Sequence, residues 1–363
     1  MKRSILSRWF VGLIAVAALA AGVVYFGKGD TRQQHAESAA DRRDFDTTLK
    51  LLEPTLTESR PNPESLILGA RSARRAGRLD IADRYLRKYQ ERGGDAEVIA
   101  IERMLVGVQA GKLPAANGLR FCDEHPGHVQ VPLILEAVAE GSLRSGDLIL
   151  AGEAVTRWLA TNPSPANQAK AYTIAGTCSR HLGQIDRAAE QYLKAVDLDP
   201  DNVNARLEAA SVLADRDPAT ALKHANVILA TQPNLADALV VLARAERNQG
   251  HPEAAKTALD RVLAAQQDHR NARVERAKLA IDQGDAAAAE QDLRQILVRE
   301  PRALDVNSTL VRALQLAGRD KEAEEVRKQV REIEAELFRD IEDRVKAGKI
   351  PAPPPGTTLP GGS

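Results

Sequence analysis

A periodically placed glycine is the feature that most constrains how this chain can fold. Over most of the 363 residues, glycines precede Ala-rich amphipathic segments, at Gly77, Gly111, Gly146, Gly183, Gly250, Gly284 and Gly318. Their spacings are 34, 35, 37, 67, 34 and 34 residues, and the 67 is a doubled period whose middle turn, residues 214–220, lacks its glycine. Such a period indicates one supersecondary unit repeated along the chain, with neighbouring units stacked to bury a common core.

Two further positions keep the same register. Five residues after the glycines stands an alanine, and the unit without a glycine supplies one as well: Ala82, Ala116, Ala151, Ala188, Ala221, Ala255, Ala289 and Ala323. Twelve residues later a proline often follows, at Pro163, Pro200, Pro233 and Pro301. We expect two antiparallel helices per unit, because glycine ends the first helix, alanine lets the helices approach closely and proline ends the second.

This unit resembles the tetratricopeptide repeat, and residues 171–200 are its clearest copy. Counted from Ala169 as position 1, the signature positions 4, 8, 15, 20, 24, 27 and 32 are Tyr172, Gly176, Gly183, Ala188, Tyr192, Ala195 and Pro200, whereas Ser179 at position 11 departs from the pattern. Weaker copies begin near residues 63, 236 and 270, a first one covers 29–62, and unit 97–131 is degenerate. The resemblance implies an all-α, right-handed superhelical solenoid of about nine helical pairs over residues 29–337.

An uncharged apolar segment, residues 9–27, precedes the repeats. Nineteen residues of helix span about 28 Å, which is close to the hydrocarbon thickness of a bilayer. The basic flank, residues 1–8, favours a cytoplasmic N-terminus. We therefore expect an N-terminal transmembrane helix in the inner membrane, with the repeat domain in the periplasm. A cleaved signal peptide is the alternative, because residues 18–20 resemble a cleavage site.

The C-terminal end departs from the repeat. From Asp320 no helix breaker occurs until Gly348, and apolar residues recur every three or four positions: Ala323, Val326, Val330, Ile333, Leu337, Ile341 and Val345. We expect a long helix that caps the last repeat and ends with residues 338–348, or a homodimer seam through the 320–347 helix. Residues 349–363 are Pro- and Gly-rich, which predicts a disordered tail, with a polyproline helix as the alternative.

Catalytic and metal-binding patterns are scarce. The chain has no Walker loop, GxGxxG, GxSxG or HExxH motif, so we predict neither an enzyme nor a cofactor. Cys122, His125 and His128 have the spacing of metal ligands, but Pro126 stands roughly where a unit should end, so the segment is interpreted as a turn. Balanced charge, with 50 basic and 50 acidic residues, and only 3% aromatic residues argue against nucleic acid as a partner.

The family resemblance implies that the first helix of each unit lines a concave groove through positions 2, 5, 9 and 12. From residue 63 onward, seven of the sixteen residues at positions 9 and 12 are basic and one is acidic. The seven are Arg71, Arg74, Arg180, Arg244, Arg247, Lys278 and Arg312. Guanidinium groups match carboxylates, so we predict a groove for extended peptides, either acidic or C-terminal. The alternative is that long solvated side chains suit any wet surface.

These observations predict a membrane-anchored bacterial scaffold or adaptor that binds protein or peptide partners without chemistry. The chain resembles envelope scaffolds with an anchor and an extracytoplasmic repeat domain, which implies a role in assembling a cell-envelope complex. The alternative is an accessory, non-catalytic subunit of an envelope enzyme or of polysaccharide-export or secretion machinery.

Overall fold

The computed structural model describes residues 31–346, and this part of the chain is all-α, with eighteen helices and no strand. Helix α1 covers residues 31–41. The others are α2 (Phe45–Leu56), α3 (Pro63–Arg75), α4 (Leu79–Glu91), α5 (Ala96–Gln109), α6 (Ala116–Glu124), α7 (Val131–Ser145), α8 (Leu148–Ala160), α9 (Pro165–His181), α10 (Ile185–Leu198), α11 (Val203–Leu213), α12 (Pro218–Thr231), α13 (Ala236–Asn248), α14 (Pro252–Ala265), α15 (Arg270–Asp282), α16 (Ala286–Leu297), α17 (Leu304–Leu316) and α18 (Asp320–Lys346). The predicted all-α class is confirmed.

Consecutive helices pack against each other as hairpins joined by tight turns. All seven glycines of the repeat adopt φ between 69° and 81°, the left-handed conformation that ends a helix at low cost. Seven of the eight alanines are buried, with relative exposures of 0 or 1%. Ala116 of the degenerate unit is the exception and is exposed. There Gly118 makes the close contact, because a Cβ at this position would lie 2.4 Å from Val138.

Two compact units make up the described chain, and the division falls inside α9, between Ile174 and Ala175. In the first unit, Leu52, Leu56 and Leu66 form a core with Tyr89 and Ile99. Alanine occupies much of the second unit's cores, where the helices pack at close range. The right-handed sense of a continuous superhelix stays a prediction.

Five side chains form a polar clasp in the first unit. Position 15, glycine in seven other turns, is Arg43 in the α1–α2 turn, with a left-handed φ of 63°. Arg43 Nη2 lies 2.7 Å from Glu136 Oε1 in α7, and Nη1 donates to Asn167 Oδ1 in α9 over 2.8 Å. Arg75 donates to the same two oxygens over 3.1 and 2.7 Å. Both guanidinium carbons lie over the Phe45 ring, at 5.2 and 4.8 Å from its centroid.

The carboxylate at the centre of the clasp stays ionised. Burial by itself would raise the pKa of Glu136, but Arg43, Arg75 and Arg74 outweigh burial and lower that pKa from 4.5 to about 2. A left-handed backbone costs a non-glycine residue about 1–2 kcal/mol. The clasp therefore offsets strain in the first turn while it joins that turn to α3, α7 and α9.

Most of the predictions for the two ends of the chain concern residues outside the described range. The basic flank 1–8, the apolar segment 9–27 and the tail 349–363 all lie there. Between residues 31 and 346, no helix combines the length and the apolar character needed to cross a bilayer.

The first half of helix α18 packs apolar side chains on the last repeat. Ala323 and Val330 are buried, and Val326 packs on the same core as Leu310 and Leu314 of α17. Farther along the same stripe, Leu337 is 48% exposed. The first half therefore covers the apolar face of α17, as a cap does.

The substitution Arg43→Gly separates backbone strain from the clasp. Glycine relieves about 1 kcal/mol of strain, whereas breaking a buried ion pair costs roughly 3–5 kcal/mol, so we expect a net loss of about 2–4 kcal/mol in unfolding free energy. Urea denaturation of the full chain measures this. The control Asn162→Gly changes another left-handed residue, whose side chain is exposed, and should leave stability unchanged or slightly higher. A gain of unfolding free energy in both variants would show that the clasp does not stabilise the fold.

The lowered pKa of Glu136 predicts how the unfolding free energy depends on pH. Because the pKa falls on folding, from 4.5 to about 2, ionised Glu136 stabilises the fold fully above pH 4.5, and this contribution is lost as pH falls toward 2. The difference in unfolding free energy between wild type and Glu136→Gln should therefore shrink over this interval. A difference that stays constant from pH 5 to pH 2.5 would contradict the prediction.

Because two helices pack closely at Gly176, we expect a larger residue at this position to destabilise the fold. A Cβ at Gly176 would lie 2.7 Å from the ring of Tyr192, which is fully buried and has no room to move aside. We expect Gly176→Ala to lower the unfolding free energy by roughly 1–3 kcal/mol. The matched control is Gly152→Ala in α8, where nothing lies within 4 Å and the helix should gain stability. Thermal melts followed by circular dichroism compare them, and equal midpoints would refute the close contact.

Candidate functional site

Odd-numbered helices of the second unit form one face. α11 contacts α13, α13 contacts α15, and α15 contacts α17. Together with Arg180 at the end of α9, these helices line a cavity of about 380 Å³, called here the inner groove. Its lining residues are Arg180, Leu207, Glu208, Ser211, Asp237, Val240, Val241, Arg244, Arg270, Asn271, Val274, Glu275, Lys278 and Asp305.

The inner groove brings together four of the seven predicted site residues. Arg180, Arg244 and Lys278 line it directly. Arg247 lies beside it, with Nη2 at 3.7 Å from Glu275 Oε2. Arg312 is exposed on α17 and does not line the cavity. The repeat register thus indicated this cluster, because positions 9 and 12 recur on one face of successive helices.

The other two predicted residues, Arg71 and Arg74, belong to the first unit. Arg74 has a side-chain exposure of 0%. It donates from Nε to Glu102 Oε2 over 2.9 Å and from Nη1 to Gln109 Oε1 over 3.2 Å. Arg71 Nε donates to Glu102 Oε1 over 2.7 Å. The prediction that Arg74 faces a ligand is therefore wrong, because its guanidinium neutralises a buried glutamate.

Acidic residues balance the basic ones in the inner groove. Its lining contains four basic residues, Arg180, Arg244, Arg270 and Lys278, and four acidic residues, Glu208, Asp237, Glu275 and Asp305. The acidic residues stand at positions 2 and 6 of their units, whereas the sequence analysis counted charge at positions 9 and 12. Because positions 2 and 6 lie on the same helical face, counting them would have revealed this balance.

Several ion pairs of the groove are too long for hydrogen bonds. Arg180 Nε lies 3.7 Å from Glu208 Oε2, and Arg244 Nε lies 3.8 Å from Asp215 Oδ1. The Nε atoms of Arg180, Arg244 and Arg247 and the Oε2 atom of Glu275 are buried and have no hydrogen-bond partner. They are four of the seven such side-chain atoms in residues 31–346. Buried polar atoms are normally satisfied, so this concentration marks an unusual surface.

Other atoms of the same side chains are firmly held. Arg247 Nη1 donates to Asp282 Oδ2 over 2.8 Å, and Lys278 Nζ donates to Glu275 Oε1 over 2.8 Å. Burial would lower the pKa of Arg180, but the Tyr192 hydroxyl and Glu208 outweigh burial and raise it. These side chains are therefore anchored by some of their atoms while the Nε donors of the arginines remain without a partner.

The cysteine and histidine side chains of the described residues do not come together as a metal site. Between residues 31 and 346, no three His, Cys, Asp or Glu side chains converge as a metal site. His125 and His128 pack on the ring of Phe121, with centroids 4.7 and 5.4 Å away. Burial raises the pKa of Cys122 and brings that of Cys178 to about 11, which disfavours the thiolate form of both side chains.

Comparisons with known proteins agree with this geometry. Family models of the tetratricopeptide repeat match residues 169–202 and 212–279. A chain in the crystal structure of the APC/C hetero-tetramer Cut9–Hcn1 is 19% identical, with a TM-score of 0.59 over 77% of this chain and 54% of that one.

Two further solved structures are similar to shorter stretches. PilW, a type IV pilus biogenesis factor, is 21% identical, with a TM-score of 0.46 over 59% of this chain and 96% of that one. A tetratricopeptide repeat protein from Parabacteroides merdae is 18% identical, with a TM-score of 0.46 over 62% and 95%. No curated protein matches the sequence. At 19% identity, the likeness to the Cut9–Hcn1 chain shows the fold alone.

The helical hairpins, their left-handed glycines and the two family matches together identify residues 169–202 and 212–279 as tetratricopeptide repeats within an all-α chain.

Proposed function

We propose that this chain is a non-catalytic scaffold and that its inner groove holds a segment of a partner protein. The observation that carries the proposal is the cluster of Arg180, Arg244 and Lys278 in one cavity between stacked helices, where the buried Nε atoms of Arg180 and Arg244 lack hydrogen-bond partners. Unsatisfied buried donors cost free energy. A ligand that accepts hydrogen bonds from them recovers that cost on binding.

The packing behind the groove suits such a role. Ala210, Ala243 and Ala277 are the eighth residues of α11, α13 and α15 and are fully buried or nearly so. Helices packed at this density change shape little when a ligand binds, so most of the entropy cost falls on the ligand. Ion pairs of 3.7–3.8 Å can shorten or exchange partners without unfolding a helix.

The cellular setting is the wider part of the proposal. We place the chain in the inner membrane through residues 9–27, with the repeats in the periplasm, where it assists assembly of a cell-envelope complex. The uncharged segment and its basic flank support this placement. The exposed Leu337 on α18 supports a homodimer through the 320–347 helix.

The variant Arg244→Glu with Lys278→Glu tests the groove. Reversing two of its cations repels a carboxylate that the wild type would bind, so partner affinity should fall at least about tenfold. Crosslinking in intact cells, followed by affinity purification and mass spectrometry, identifies the partners. Titration of a recovered partner against the purified full chain then measures affinity.

The matched control is Arg187→Glu with Lys223→Glu, which makes the same charge change on exposed positions of α10 and α12. Circular dichroism checks that both variants fold. If capture is unchanged in the groove variant, or falls equally in both, the inner groove is not the binding surface. The recovered partners also report the compartment, and crosslinks between two copies of residues 320–346 would support the dimer.

A further inference from the structure

We infer that the inner groove takes a polypeptide segment of near-zero net charge that carries acidic side chains along one edge and basic side chains along the other. This inference rests on the proposed function of the groove. It replaces the uniformly acidic ligand that positions 9 and 12 alone would predict, because the groove lining is itself neutral and its most exposed carboxylates, Asp237 and Asp305, lie at the edge opposite Arg244 and Lys278.

The repeat places equivalent residues of successive helices in rows. The odd-numbered helices run in the same direction, since each is joined to the next through one helix packed back against it. Residues at the same position of α11, α13 and α15 therefore lie side by side. With a rise of 1.5 Å per residue, the second, fifth and ninth positions are separated by about 5 and 6 Å along each helix. Three parallel rows, about 10 Å wide together, cross the groove.

One edge is acidic and exposed. Asp237 and Asp305, each the second residue of its helix, have side chains exposed by 59 and 57%. Asp237 lies 3.7 Å from His269 Nε2, and Asp305 accepts from Arg270 Nη2 over 2.6 Å. Arg270 also donates to Glu300 over 2.8 Å. Two carboxylates thus share the Arg270 guanidinium, and Asp237 has an imidazole nitrogen at 3.7 Å, which leaves capacity for a basic group of a ligand at this edge.

The opposite edge holds the cations and their unused donors. Arg244 and Lys278 are the ninth residues of α13 and α15, with Arg247 one turn farther along α13. Lys278 is bonded to Glu275, whose other oxygen has no hydrogen-bond partner. The unpartnered Nε atoms of Arg244 and Arg247 lie at this edge. A carboxylate of the ligand is the group that such donors bind best.

An apolar row separates the two edges. Leu207, Val240 and Val274 are the fifth residues of α11, α13 and α15, and all three line the groove. They favour aliphatic side chains in the centre of the ligand. A wholly acidic ligand would set carboxylates against Asp237 and Asp305, and like charges across an interface are repelled. A ligand with its charges divided between two edges meets opposite charge on both sides.

A display library of random 15-residue peptides, selected on the purified full chain, tests this ligand class. We expect the enriched peptides to combine acidic and basic residues around aliphatic ones, with net charge near zero. Selection on Asp237→Asn with Asp305→Asn should lower the frequency of basic residues several-fold and keep the acidic ones. Selection on Arg244→Gln with Lys278→Gln should do the reverse. Circular dichroism confirms that the variants fold.

The outcomes separate the inference from the proposed function. Enrichment of uniformly acidic peptides that the Arg244/Lys278 variant abolishes would overturn the inference and leave the groove as a binding site. Basic residues that persist unchanged in the Asp237/Asp305 variant would overturn it as well. If no peptide is enriched above the Arg244→Glu/Lys278→Glu chain, the proposed function itself fails.

Discussion

The close approach of the two helices in each hairpin underlies everything else in this structure. Ala188 is completely buried where α9 and α10 meet, and Gly176 lies directly against the ring of Tyr192. Small residues at these points bring helix axes near and fix how far one helix slides along the next. Because the same points recur about every 34 residues, positions that are equivalent in sequence also fall into rows in space.

The positions of charged side chains follow these rows, and buried carboxylates are neutralised by neighbouring arginines. In the first unit, Glu136 and Glu102 are buried, and each is held by two arginines. In the second unit the comparable ion pairs of Arg180 and Arg244 are longer and only partly desolvated. The carboxylates of the first-unit pairs are only 1% exposed, so these pairs belong to the packing of the fold. The pairs of the second unit are longer and line a cavity, and this difference is what favours the second unit in the proposed function.

Much of the fold was predictable because its determinants are local. A left-handed glycine such as Gly183 and a helix-ending proline such as Pro200 act within a few residues of themselves, so their spacing reveals helix ends directly. The candidate site was only partly predictable. Position 9 indicated Arg244 and Lys278, but the same reasoning selected Arg74, whose environment depends on Glu102 and Gln109. These two partners lie about 30 residues from Arg74 in the sequence. Counting residue types at single repeat positions therefore does not reveal the contacts.

The sequence by itself determined the period, the helix boundaries and the small residues that let helices pack, because each of these follows from backbone geometry within one repeat. Only the tertiary structure decided which arginines pair with buried carboxylates and which line the inner groove. It also decided that Arg43, 124 residues from Asn167, takes the place of a turn glycine. The reason is physical: the free energy of a charge depends on its solvation and on every charge within a few ångströms, and stacking sets both.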